Sequence, residues 1–116
     1  MPLKRLMLPQ GELAQVHNGE PPIHYLAFIE LREGTQRGNH FHRVKEEFVY
    51  LLSGEVRLLV EDIESKAREI VPLNTGDLVF IPVGVAHTLD VVKAGQAIEF
   101  SAARFDATDI HRYPLM

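Results

Sequence analysis

The chain has 116 residues, 12 Lys plus Arg against 16 Asp plus Glu, a formal net charge of −4 and no cysteine. Without thiols it has no disulfide scaffold, thiolate metal site, iron–sulfur cluster or cysteine nucleophile, and mild acidity with no Lys/Arg cluster argues against nucleic-acid binding. The length gives one domain over 1–116, able to bury roughly 60–70% of its unfolded surface.

Lys4 and Arg5 are followed only by Leu6, Met7 and Leu8 before Pro9, too little for the apolar segment of a signal peptide. Residues 1–22 read as an N-terminal arm or edge strand. Strands are then predicted near Tyr25–Arg32, His40–His42, Phe48–Leu52, Val56–Glu61, Ala67–Val71, Leu78–Ile81, His87–Val92 and Ile98–Arg104. They are separated by turn signals such as Glu33-Gly34, Ser53-Gly54, Asn74-Thr75-Gly76, Pro82-Val83-Gly84 and Lys93-Ala94-Gly95. Glu61–Arg68 suits either a short helix or a hairpin loop. Asp106–Met116 reads as a tail. The whole predicts an all-β barrel or sandwich with little helix.

Alternation places Val56, Leu58 and Val60 on one face of their strand and Glu55, Arg57, Leu59 and Glu61 on the other. Phe48–Leu52 is apolar on both faces, which suits burial by a second sheet or by the partner in a homodimer. The longest uncharged apolar stretch, Leu78–Leu89, contains Pro82, Gly84 and His87 and is too short to span a bilayer. The expectation is a cytoplasmic protein with no membrane or nucleic-acid partner.

Histidine occurs six times, at His17, His24, His40, His42, His87 and His111. Without thiols, transition-metal chemistry has to use imidazole and carboxylate. His40 and His42 stand two residues apart, so on a strand both rings project to one face. Glu46 or Glu47 follows within reach if the chain turns between them. His87 lies on a second apolar strand after Pro82-Val83-Gly84, and two packed sheets would bring it opposite the pair. Three histidines and one carboxylate suit Fe, Mn, Co, Ni, Cu or Zn as divalent ions.

The spacing around these residues resembles the cupin superfamily. Its first motif is matched by Gly34, His40-Phe41-His42, Glu47 and Gly54, and its second by Gly76, Pro82-Val83-Gly84 and His87. The two motifs cover 34–54 and 76–91. The last position of the second motif, an Asn in the family, is Val91 here, which implies a more apolar cavity end. The resemblance implies a double-stranded β-helix (a jelly-roll barrel). It also implies one divalent transition-metal ion per chain, held by His40, His42, Glu47 and His87, with Glu46 exposed. His17, His24 and His111 have no motif support and are expected to be non-ligands.

A four-ligand site leaves positions open for a small molecule. That points to a metal-dependent enzyme, either an isomerase or epimerase on a sugar or other carbonyl compound, or a dioxygenase. The alternatives are a non-catalytic cupin that binds or senses a small ligand, and a barrel with a purely structural metal. The stretch Arg37-Gly38-Asn39-His40-Phe41-His42 is similar to sugar-nucleotide cupins of surface-polysaccharide synthesis, in particular the metal-binding C-terminal cupin domain of capsular-polysaccharide reductases. The tail Arg104–His111 shares that likeness. Tyr50, Arg57 and Arg104 are candidates for substrate contact. Strand parity counts against Tyr50, and Arg104 could end a cavity-lining row with Ile98, Phe100 and Ala102. No residue is identified as catalytic.

Overall fold

A computed structural model describes residues 4–116. Among the described residues there are nine strands: β1 (Lys4–Leu8), β2 (Gly11–Gln15), β3 (Tyr25–Leu31), β4 (Gln36–Phe41), β5 (Glu47–Asp62), β6 (Arg68–Asn74), β7 (Leu78–Ile81), β8 (Val85–Ser101) and β9 (His111–Arg112). One short 3-10 turn, Ala107–Asp109, interrupts the tail. Among the described residues no helix is long and apolar enough to cross a membrane.

β5 and β8 run antiparallel along most of their length and build two layers. In the first layer, β3 pairs with the C-terminal half of β8, which pairs with the N-terminal half of β5, which pairs with β7. In the second, β6, the C-terminal half of β5, the N-terminal half of β8, β4 and β9 lie side by side. This is the double-stranded β-helix, folded from two long strands that each serve both layers.

Each long strand was expected as two short ones, split at Gly54 and Gly95. Both glycines instead mark a corner where the strands bend together through register shifts between Leu51 and Val56. A Cβ on Gly95 would lie 1.8 Å from the Ser53 carbonyl oxygen, and one on Gly54 would lie 2.7 Å from that of Lys93. The corner therefore needs glycine for backbone contact, which a local reading mistakes for a turn. Glu61–Arg68 is a hairpin: Asp62 Oδ1 accepts the backbone N–H groups of Glu64 and Ser65 at 2.9 and 3.1 Å, an Asx turn that competes with helix.

The main core lies between the layers and includes Ile29, Leu31, Val49, Leu51, Val56, Leu58, Ile81, Leu89 and Val91. Full burial of each Val, Ile or Leu stabilises the fold by about 1.5–3 kcal/mol. The alternation in β5 is as expected, with Val56 and Leu58 facing inward. The outer faces of Phe48–Leu52 are covered in part by the chain itself, since Phe48 packs against Phe80 and Phe100 with ring centroids 4.9 and 5.0 Å apart. Leu59, on the outer face of the second layer, is buried in a separate cluster with Phe41, Ala86 and Leu115 of the tail.

Candidate functional site

β4 and β8 place the histidines. His40 and His87 are direct partners in the antiparallel pair, just past a bulge at Gly38–His40. A Cβ on Gly38 would lie 2.7 Å from the His87 carbonyl oxygen, so glycine lets the two strands press together there. Phe41 points to the opposite face, beneath the tail, which leaves His40 and His42 together on the inner one. Glu47 opens β5 and is buried, as are His42 and His87.

Each of the four residues offers a ligand atom, and these atoms lie within 4.8 Å of one another. The ring centroids of His40 stand 4.9 Å from His42 and 4.8 Å from His87. His42 Nδ1 donates to the Asp109 carbonyl at 2.8 Å, and His87 Nδ1 donates to that of Val85 at 3.1 Å. A carbonyl only accepts, so in the neutral rings both Nε2 atoms carry lone pairs. Those lone pairs face a carboxylate: His42 Nε2 is 2.8 Å from Glu47 Oε1, and His87 Nε2 is 3.4 Å from Glu47 Oε2.

Acceptors facing acceptors at this range repel unless a proton or a cation lies between them. His42 Nε2 is in fact buried without a hydrogen-bond partner, because its short contact to Glu47 lacks hydrogen-bond alignment. This orphaned nitrogen and the all-nitrogen-and-oxygen donor set fit a divalent transition metal.

The titration of the cluster has the same cause. Burial, with His87 and His42 close by, pushes His40 down to about 4. Burial would raise the Glu47 carboxyl, but His42, His87 and Lys45 outweigh it and hold Glu47 well below the usual carboxylate range. For His42, burial is outweighed by Glu47 and the Asp109 carbonyl, and its imidazole is raised.

The four residues line a cavity of about 230 Å³. Two charged residues that the sequence reading missed line it with them. Lys45 Nζ lies 2.9 Å from Glu99 Oε1 and 3.3 Å from Glu47 Oε1, and 4.1 Å above the Tyr25 ring. Burial opposes the Lys45 charge but the two carboxylates outweigh it and raise its pKa, while burial and Glu47 raise the Glu99 carboxyl. Tyr25 stacks on Phe105 at the cavity wall, with ring centroids 6.2 Å apart. The available signal for Glu99 was a lone carboxylate in an apolar strand, in parity with Ala97.

Several sequence expectations change. The inward row of β8 includes Ala97 and Glu99, whereas Phe100 packs outward on Phe48 and Arg104 is exposed, so Arg104 does not end a cavity-lining row. Tyr50 does not line the cavity. Arg57 pairs with Asp90 instead, its Nε 3.0 Å from Oδ2. Arg37 does reach the cavity wall, while Asn39 holds the chain end, its Oδ1 accepting the Leu115 N–H at 2.8 Å. Val91 lies in the core and not at the cavity, whose apolar lining includes Leu89. Glu46 is exposed. His17 packs on Phe100, His24 bonds the Ala102 carbonyl and His111 packs on Phe41, all outside the cluster.

Solved structures share the fold. The WlaRB TDP-quinovose 3,4-ketoisomerase from Campylobacter jejuni superposes with a TM-score of 0.84 at 19% identity, covering 95% of this chain and 88% of that one. The dTDP-4-dehydrorhamnose 3,5-epimerase from Sulfolobus tokodaii gives 0.80 at 17% identity, covering 94% and 72%. The capsular polysaccharide assembling protein CapF from Staphylococcus aureus gives 0.74 at 19% identity, covering 99% of this chain but 33% of that one. No curated protein matches the sequence. A family model described as "Cupin domain" matches residues 27–100, more than half of the chain, and the protein belongs to the cupin family.

Proposed function

We propose that the protein is a metal-dependent isomerase or epimerase acting on a sugar or a related carbonyl compound, with His40, His42, Glu47 and His87 holding one divalent transition-metal ion. The observation that carries this reading is the convergence of three imidazoles and a carboxylate on a cavity that also presents Lys45 and Glu99. Two fold neighbours are by name a sugar-nucleotide ketoisomerase and a sugar-nucleotide epimerase, which supports the choice of substrate class.

When bound, such an ion polarises a substrate carbonyl and stabilises the negative charge that develops on its oxygen. The side chains handle the proton. Glu99, its carboxyl raised by burial and by Glu47, is suited to take a proton from the carbon next to the carbonyl and to return it. Lys45, 2.9 Å from Glu99, keeps that carboxylate oriented and adds positive charge to the wall. Tyr25 and Phe105, stacked on each other, supply an aromatic face of the cavity wall against which a ring can pack.

The test is proton exchange. Metal-loaded protein is incubated with a panel of nucleotide-linked keto sugars in deuterium oxide and followed by proton NMR. Deuterium is expected to enter next to the carbonyl, at a rate reduced about 100-fold or more in Glu99→Gln. Tight binding without exchange would replace this reading with a ligand-binding cupin. Oxygen consumption by an iron-loaded sample would replace it with a dioxygenase.

A further inference from the structure

The C-terminal segment, expected as a simple tail, is built into the candidate site. Asp106 caps its 3-10 turn, with Oδ1 accepting the Thr108 N–H at 2.9 Å. The turn ends at Asp109, which is buried. The Asp109 carboxylate accepts three consecutive backbone N–H groups, from Arg43 at 2.8 Å, Val44 at 3.2 Å and Lys45 at 3.0 Å. These three residues belong to the loop that joins His42 to Glu47 and carries Lys45. The Asp109 backbone carbonyl accepts His42 Nδ1 at 2.8 Å. His111 Nε2 is 3.9 Å from Oδ1, the nearest side-chain cation when protonated.

We propose that Asp109 is a positioning residue of the cluster: its carboxylate pins the 43–45 loop, and that anchor places its own carbonyl to fix the His42 ring. The proposal rests on the metal-site reading above for its purpose, but not for its geometry. Three N–H groups on one carboxylate form a charge-assisted anchor that a neutral side chain does not reproduce. The carbonyl fixes the proton on Nδ1, so Nε2 presents a lone pair to Glu47 and the cavity. Without the anchor the ring is free to choose the other tautomer, and Lys45 loses its fixed approach to Glu99.

The experiment compares wild type, Asp109→Ala, Asp109→Asn and a control, Val91→Ala, which weakens the core away from the cluster. In metal-free protein, proton–nitrogen correlation NMR reads the His42 Nδ1–H that donates to the Asp109 carbonyl, and hydrogen exchange reads the amides of 43–45. Cobalt(II) titration reads metal affinity. Wild type is expected to show a protected Nδ1–H and protected amides. Both Asp109 variants are expected to lose the protected Nδ1–H, lose protection at 43–45 and bind cobalt about 10- to 100-fold more weakly. Val91→Ala is expected to leave all three readouts as in wild type. Unchanged His42 and amides in folded Asp109 variants would overturn the proposal. So would the same losses in Val91→Ala, or failure of both Asp109 variants to fold, either of which makes the role merely structural. If wild type binds no cobalt, the metal reading fails, while the Nδ1–H and amide-exchange data still decide the positioning role.

Discussion

The two ends of the chain, read from sequence as an arm or edge strand and as a tail, differ in how they meet the barrel. The β1–β2 hairpin pairs with itself, and its apolar side chains stay open, with Leu6 40%, Met7 77% and Leu13 45% exposed. Its ion pair between Arg5 and Glu12 is solvent-facing. The C-terminal segment is fastened to the barrel: Leu115 is 9% exposed and packs with Phe41 and Leu59, Tyr113 donates to Glu61, and the Tyr113 N–H bonds the Asn39 carbonyl at 2.7 Å. Every one of these contacts falls on or beside the strands that carry His40 and His87. The C-terminal segment completes the cavity, where Phe105 and Ile110 form part of the wall, whereas the hairpin does not line it.

The largest contrast is expected in stability. Leu115→Ala opens a cavity beneath the tail and should cost about 2–3 kcal/mol. Leu13→Ala, on the open hairpin, should cost less than about 0.5 kcal/mol. Urea denaturation of the two variants checks this, and equal losses would erase the distinction between the ends.

A smaller effect should appear with pH, through the buried His40 on the strand that the tail strand covers. Burial drops His40 from 6.5 to about 4, so the fold favours its neutral form. That contribution is fully present above pH 6.5 and is lost as pH falls toward 4. The depressed Glu47 carboxyl adds stability that is present above its ordinary value of 4.5 and lost on further acidification. His42, raised by its partners, acts oppositely: its contribution is present below 6.5 and lost as pH rises through its folded value. In metal-free protein, His40→Gln should therefore flatten the decline in stability between pH 6.5 and about 4. An unchanged slope in urea titrations would contradict the placement of His40.

The legible part of the site was its local part. His40, His42 and Glu47 sit within eight residues, and strand parity plus motif spacing brought them together with His87. Local patterning reached an all-β barrel or sandwich, and the family resemblance implied the double-stranded β-helix, although Gly54 and Gly95 read as turns when they are the corner of two continuous strands. Lys45 and Glu99 were not legible, since their pairing spans 54 residues and depends on the layers closing. Asp109 lies 66 residues from the Arg43 N–H it binds, in a segment with no strand pattern. What local periodicity encodes is which face a side chain takes. It does not encode which distant carboxylate arrives there.

Elemental analysis of protein purified without an affinity tag, then incubated with Fe, Mn, Ni, Cu and Zn in turn, decides whether the four residues hold a metal. Wild type and His17→Ala, whose ring lies outside the cluster, are expected to carry close to one transition-metal ion per chain, and His42→Ala and His87→Ala close to none. No metal in wild type under any of these conditions, or equal loading in all four proteins, would contradict the site.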